Sequence, residues 1–273
     1  MILLDSIICI GMIVSYIPQY LRILSLRNSF GFSPNFFLLG SIGVVSTLSN
    51  LILLQFYVIL DCFIHNNDPI ECIANLFGII EIFIQFFCFF FLFLLFLWFF
   101  PQPSSETTDN DSSDRLDDLV NNEMKSIWEK SKVNTFYSLI YTTGSVLLVS
   151  ISLIYSSAES NTKIALVYGL ISTFCGILQF FPQLVYTILT RKIGSLSIGT
   201  MLLQVPGSFI LVFSLYSTPG SNWTSYVSYL ISGLLQATLL TVCIYLSRVQ
   251  DGHGTEEEEL LHNDDAIDAI HDH

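Results

Sequence analysis

The chain has 273 residues, of which 52% are apolar, 14% aromatic and only 12% charged. A soluble domain carries about 25% charged residues, so this composition excludes an ordinary water-soluble globule and points to a membrane protein. The net charge of −13 comes from acids gathered in two polar stretches, 106–129 and 256–272, and no nucleic-acid partner is expected.

A membrane span needs roughly 20 apolar residues. Seven such runs follow one another, at about 2–24, 33–58, 74–100, 135–156, 164–189, 196–217 and 224–247. The expected fold is all-α, a polytopic membrane protein of seven transmembrane helices. The first run has no basic residue ahead of it and outlasts a signal-peptide core, so it is read as a helix that stays. Asp5, near its start, is read as solvated. Pro18-Gln19 interrupts it, and the proline frees a carbonyl near Val14 that must be re-satisfied inside a bilayer. The second run carries Asn50 and Gln55. Cys62 and Cys72 follow in the loop between helices 2 and 3, on the non-cytosolic side, where thiols can oxidise; a bridge and two free thiols are both open. The third run, ANLFGIIEIFIQFFCFFFLFLLFLWFF, holds Glu81 and, one turn along the same face, Gln85. An acid inside a span costs roughly 2.5–3.5 kcal/mol on insertion scales and by default marks a functional site. Glu81 is thus the first candidate for exchanging a proton.

Residues 101–134 read as a cytosolic loop, partly disordered, in which 114–131 has the spacing of a short amphipathic helix at the membrane surface. Residues 135–160 form a linker helix. The fifth run contains Pro182-Gln183, with its freed carbonyl near Leu178, the sixth Leu202-Leu203-Gln204, and the seventh Gln236. Residues 249–273 are expected to be a disordered acidic tail. Nine of the ten basic residues fall on one side of this layout and Lys163 on the other, which puts the C-terminus in the cytosol. Arg27 and Arg191 then serve as cytosolic anchors. No nucleophile–base set, glycine-rich phosphate loop or metal-ligand cluster is present, and all five His lie in loops or tail. Neither an enzyme nor a bound metal or cofactor is expected.

An ungapped alignment lays Pro18-Gln19 on Pro182-Gln183. The same offset pairs Arg27 with Arg191, Ser33 with Ser197, Leu38-Leu39 with Leu202-Leu203, and Gly43 with Gly207. With a small change of offset, Gly78-Ile-Ile-Glu81 matches Gly233-Leu-Leu-Gln236. Residues 1–100 and 161–248 therefore read as two triple-helix repeats. An odd linker helix between them gives both the same orientation, an arrangement used by transporters.

Paired Pro-Gln motifs, a basic residue about eight positions on, a Ser-containing turn and a Gly-bearing helix resemble the PQ-loop family. That family includes cystinosin, the vacuolar and lysosomal basic amino-acid exporters and the SWEET sugar transporters. The layout looks like that of fungal-type members with a long loop between helices 3 and 4. The resemblance covers roughly 11–58 and 175–217. It implies alternating access hinged at Pro18, Gln19, Pro182 and Gln183. It also implies a solute or proton site built from polar residues of helices 3 and 7, with Glu81 facing Gln236 across the axis and Gln85, Gln204 and Asn50 as further members. In cystinosin-like members an acid follows the helix 6 Leu pair and couples protons. Here Gln204 stands there, which leaves Glu81 for that role, or a uniporter. The expected solute is an amino acid first and a sugar second. A non-transporting sensor or trafficking protein and a lipid scramblase stay open. Glu256 with Leu260 and Leu261 resembles an acidic dileucine signal, implying a clathrin-adaptor partner and a vacuole or lysosome address, with the plasma membrane as the alternative.

Overall fold

The computed structural model describes residues 2–27, 29, 34–64, 69–100, 114–190, 198–218 and 220–271. It contains α1 (Ile2–Leu26), α2 (Pro34–Ile64), α3 (Pro69–Trp98), α4 (Asp114–Tyr155), α5 (Ala158–Thr190), α6 (Ile198–Ser217) and α7 (Trp223–His271), with no strand among the described residues. All seven are long and apolar enough to cross a bilayer. Helix is the form these runs must take, because hydrocarbon offers no partner for a free backbone group.

Two boundaries differ from the sequence reading. α4 begins at Asp114, so the surface helix and the linker helix are one element of 42 residues. α7 continues to His271 across the stretch expected to be a disordered tail. A span that is already helical supplies the nucleus, so further turns add hydrogen bonds without a new nucleation cost.

The helices pack α1 on α3, α3 on α2, α2 on α5, α5 on α7, α7 on α6 and α6 on α1. This makes a ring of six, with α4 outside it, chiefly against α2. Exchanging α1, α2, α3 for α5, α6, α7 reproduces the same order of neighbours, as two copies of one unit would. Each unit has its own apolar core. In the first, Phe37 is fully buried among Tyr16, Phe89, Phe93 and Phe96. In the second, Met201 packs with Leu184, Leu239 and Cys243. Phe37 and Met201 share one repeat position under the Pro-Gln offset.

The ends are fixed locally. α1 stops where Arg27 takes φ 45°, the left-handed conformation that closes helices. The backbone N–H and hydroxyl of Ser29 then donate to the carbonyls of Phe99 and Phe96, at 3.2 and 2.9 Å. Gly220, at φ 75°, makes the turn into α7, whose first amide is capped by Asn222 Oδ1 at 2.7 Å. Cys62 and Cys72 form a disulfide that ties the end of α2 to the start of α3.

Candidate functional site

Two polar clusters sit where the units meet. In the first, the Ser214 hydroxyl of α6 lies 3.2 Å from Asp5 Oδ1 of α1 and 3.3 and 3.2 Å from the two carboxylate oxygens of Glu81 on α3. Asp5 is 3% exposed and Glu81 0%. One hydroxyl proton can serve only one acid at a time, and no Lys or Arg lies in the middle of any of these spans. Two buried acids thus face a single neutral donor. Leaving both as bare carboxylates without a cation would cost several kcal/mol each.

In the second cluster, Asn50 of α2 is fully buried. Its Nδ2 donates to the Ala165 carbonyl of α5 at 2.6 Å and to Thr224 Oγ1 of α7 at 3.1 Å. Its Oδ1 accepts from Ser225 at 2.8 Å. The close approach depends on Gly169, where a Cβ would meet Thr224 Cβ at 2.6 Å and Asn50 Nδ2 at 3.1 Å. Missing side-chain bulk lets α5 and α7 close onto the amide, as small residues do between membrane helices.

The two inter-unit seams are made of equivalent positions but are not equally closed. Along α2 and α5, Asn50 bonds Ala165, the Thr47 and Ser172 hydroxyls lie 2.6 Å apart, a Cβ at Gly43 would lie 3.7 Å from Cys175, and one at Gly40 would lie 3.0 Å from Gln179 Nε2. Along α6 and α1, Ser214 contacts Asp5, and Leu211 shares an apolar cluster with Ile8. Beyond these, a Cβ at Gly207 or Gly11 would find nothing within 4 Å. The α1–α6 seam is joined at the Asp5 end, and its glycines Gly11 and Gly207 are exposed, as is Pro18.

Glu81 faces the protein interior, but its partners are Asp5 and Ser214. Gln236 is half-buried and does not join them. Gln85 accepts a 2.6 Å bond from Tyr229 of α7, so helices 3 and 7 do meet through polar groups, one turn from Glu81 and two turns from Gln236. Gln204 is half-buried on α6. Gln55 is 1% exposed, and neither of its amide atoms has a partner among the described residues. The expectation that Asp5 is solvated is corrected: proximity to a helix start does not expose it, because α3 and α6 both pack over that end of α1. Pro18-Gln19 lies within α1, which stays helical through it. The side chains of Pro182 and Gln183, and of Glu256, Leu260 and Leu261, lie outside the described residues, as do Arg191, Ser33 and Ser197.

Sequence reasoning missed Asp5 and Ser214. The offset that pairs the prolines also pairs Ser214 with Asn50, which was the available signal.

The PQ loop repeat profile matches twice, at residues 1–60 and 164–224, the segments that contribute α1–α2 and α5–α6. An uncharacterized protein of the fission yeast Schizosaccharomyces pombe is 31% identical over 254 residues, covering 92% of this chain and 82% of that protein. The match runs through both repeats and the linker helix between them, and on this evidence the chain belongs to the PQ-loop repeat family.

Proposed function

We propose that this membrane protein is a transporter of a small polar solute, an amino acid first and a sugar second, driven or gated by a proton. The supporting observation is the buried Asp5–Glu81–Ser214 cluster at the junction of the two repeats. Protonation there changes the charge at one end of the α1–α6 seam. With both acids ionised, repulsion and desolvation oppose closure. With one protonated, the acids and Ser214 can hydrogen-bond and hold the seam together. Coupling the seam to a proton in this way makes opening depend on pH on one side of the membrane. Pro18 and Pro182 serve as hinges in this scheme, and the vacuole or lysosome supplies a pH gradient for it. The acidic dileucine in α7 is the address to that compartment.

The test is counterflow in proteoliposomes of the purified chain, screened over amino acids and sugars at two internal pH values. Uptake of no solute in either class at either pH overturns the reading. A second reading, lipid scrambling, is favoured by one observation, the open space beside Gly11 and Gly207. Fluorescent-lipid flipping in the same vesicles separates it from solute transport.

A further inference from the structure

A cavity of about 140 Å³ lies between α2, α3 and α4. α4 is fastened to α2 by the Ser46–Tyr141 bond of 2.7 Å and the Asn134–Asn35 bond of 3.0 Å, which leaves a crevice beside α3. One wall is an aromatic stripe on α3 that includes Phe86, Phe89, Phe90 and Phe93. The opposite wall carries hydroxyls that are already committed. Ser41 donates to the Phe37 carbonyl at 2.7 Å, Thr135 to that of Ser131 at 2.7 Å, and Thr142 to that of Ser138 at 2.8 Å. The lining is therefore apolar apart from the Ser138 hydroxyl, at the depth of spans Leu76–Trp98 and Met124–Tyr155. A water needs two to four polar partners and finds too few there, and an empty apolar gap forfeits dispersion contacts.

Charged residues follow the lining toward the start of α4. Phe100, one turn beyond Leu97 of the lining, stacks on Trp128 with centroids 5.4 Å apart. Lys125, Lys132 and Leu139 follow at seven-residue spacing on one face of α4, a periodicity that keeps them in line. Lys132 is exposed and paired only with the equally exposed Glu129, at 2.7 Å. Such a pair is worth little and yields readily to a phosphate.

We propose that this crevice is a binding site for one anionic glycerophospholipid of the leaflet on the basic-loop side. An acyl chain lies between the α3 aromatic stripe and α4, and the phosphate and acidic headgroup meet Lys132 and Lys125. The occupant is a lipid because the walls are apolar at bilayer depth, and it is anionic because the two cations stand one after the other toward the start of α4. The site is separate from the ring seams and does not depend on the transport reading.

Native mass spectrometry of the delipidated full-length protein tests it, with phosphatidylserine or phosphatidylcholine of identical chains added back. One phosphatidylserine adduct is expected, with phosphatidylcholine binding about tenfold weaker. Ser138→Phe, which fills the crevice, should lose both adducts. Lys125→Gln with Lys132→Gln changes only exposed side chains, so folding is kept, and should bring phosphatidylserine down to the phosphatidylcholine level. Absence of an adduct, equal binding of the two lipids to the unmodified protein, an unchanged preference in the lysine variant, or a sterol or second protein copy in the lipid's place each overturns the proposal.

Discussion

Asn50 of α2 and Ser214 of α6 stand 164 residues apart, the spacing of the two Pro-Gln motifs, and each bonds to both outer helices of the other repeat. Asn50 reaches α5 and α7, and Ser214 reaches α1 and α3. The same repeat position is an amide clasp on one side and a hydroxyl between two acids on the other. The difference in chemistry sets the difference in role. The amide is satisfied on both its atoms and ties α2 to α5 and α7, whereas the Ser214 hydroxyl is shared between two acids.

The amide side should therefore carry more stability. Asn50→Ala removes three hydrogen bonds and leaves the Ser225 hydroxyl and the Ala165 carbonyl without this partner. A loss of about 1–3 kcal/mol is expected, against about 1 kcal/mol or less for Ser214→Ala. Thermal unfolding in a fixed detergent measures both, and equal losses would contradict the division of labour.

If the acids act as one proton site, their variants will not add. Glu81→Gln and Asp5→Asn should each remove the pH dependence of uptake, and the double variant should behave like either single one. Purified variants that elute as the native monodisperse peak but keep a native pH profile would take the pair out of the mechanism.

Glycines of the two seams should respond differently to a methyl group. Gly169→Ala drives a Cβ into Thr224 and should cost about 1–3 kcal/mol. Gly11→Ala and Gly207→Ala meet open space and should be neutral or gain up to about 1 kcal/mol from helix propensity. Melting temperatures of the three variants in one detergent decide this.

Cross-linking reads the seams directly. Gly43→Cys lies against the native Cys175 and should form a disulfide readily under mild oxidation, without loss of uptake. The pair Gly11→Cys with Gly207→Cys, each facing open space, should resist oxidation and, once joined by a short bifunctional reagent, should stop transport. Ready cross-linking at both seams would mean that neither is the moving one.

Much of the fold could be read from residues alone. Seven apolar runs, a basic bias to one side and a repeated Pro-Gln-Arg-Gly pattern name the class, the number of spans and the duplication. Glu81 stood out for a physical reason: an acid in a span is too costly to be idle. Its partner did not stand out. Asp5 lies three residues into α1, where a polar residue is unremarkable, and nothing in the linear order says that α3 and α6 cover that end. Gln236 was paired with Glu81 by alignment, yet Gln85 and Tyr229 make the bond, because sequence register between helices leaves the turn at which they touch undetermined.

The sequence by itself determined that this chain spans a membrane seven times and is built from two copies of one unit, since hydrocarbon forces every apolar run of that length into a helix and duplication leaves matched residues at a constant offset. The tertiary structure alone decided which helices neighbour each other, that Asp5 is buried with Glu81 beneath Ser214, and that the glycines of one seam are packed while those of its counterpart face open space. Those outcomes depend on how side chains hundreds of positions apart fit in three dimensions, and the space beside a glycine leaves no mark on the linear chain.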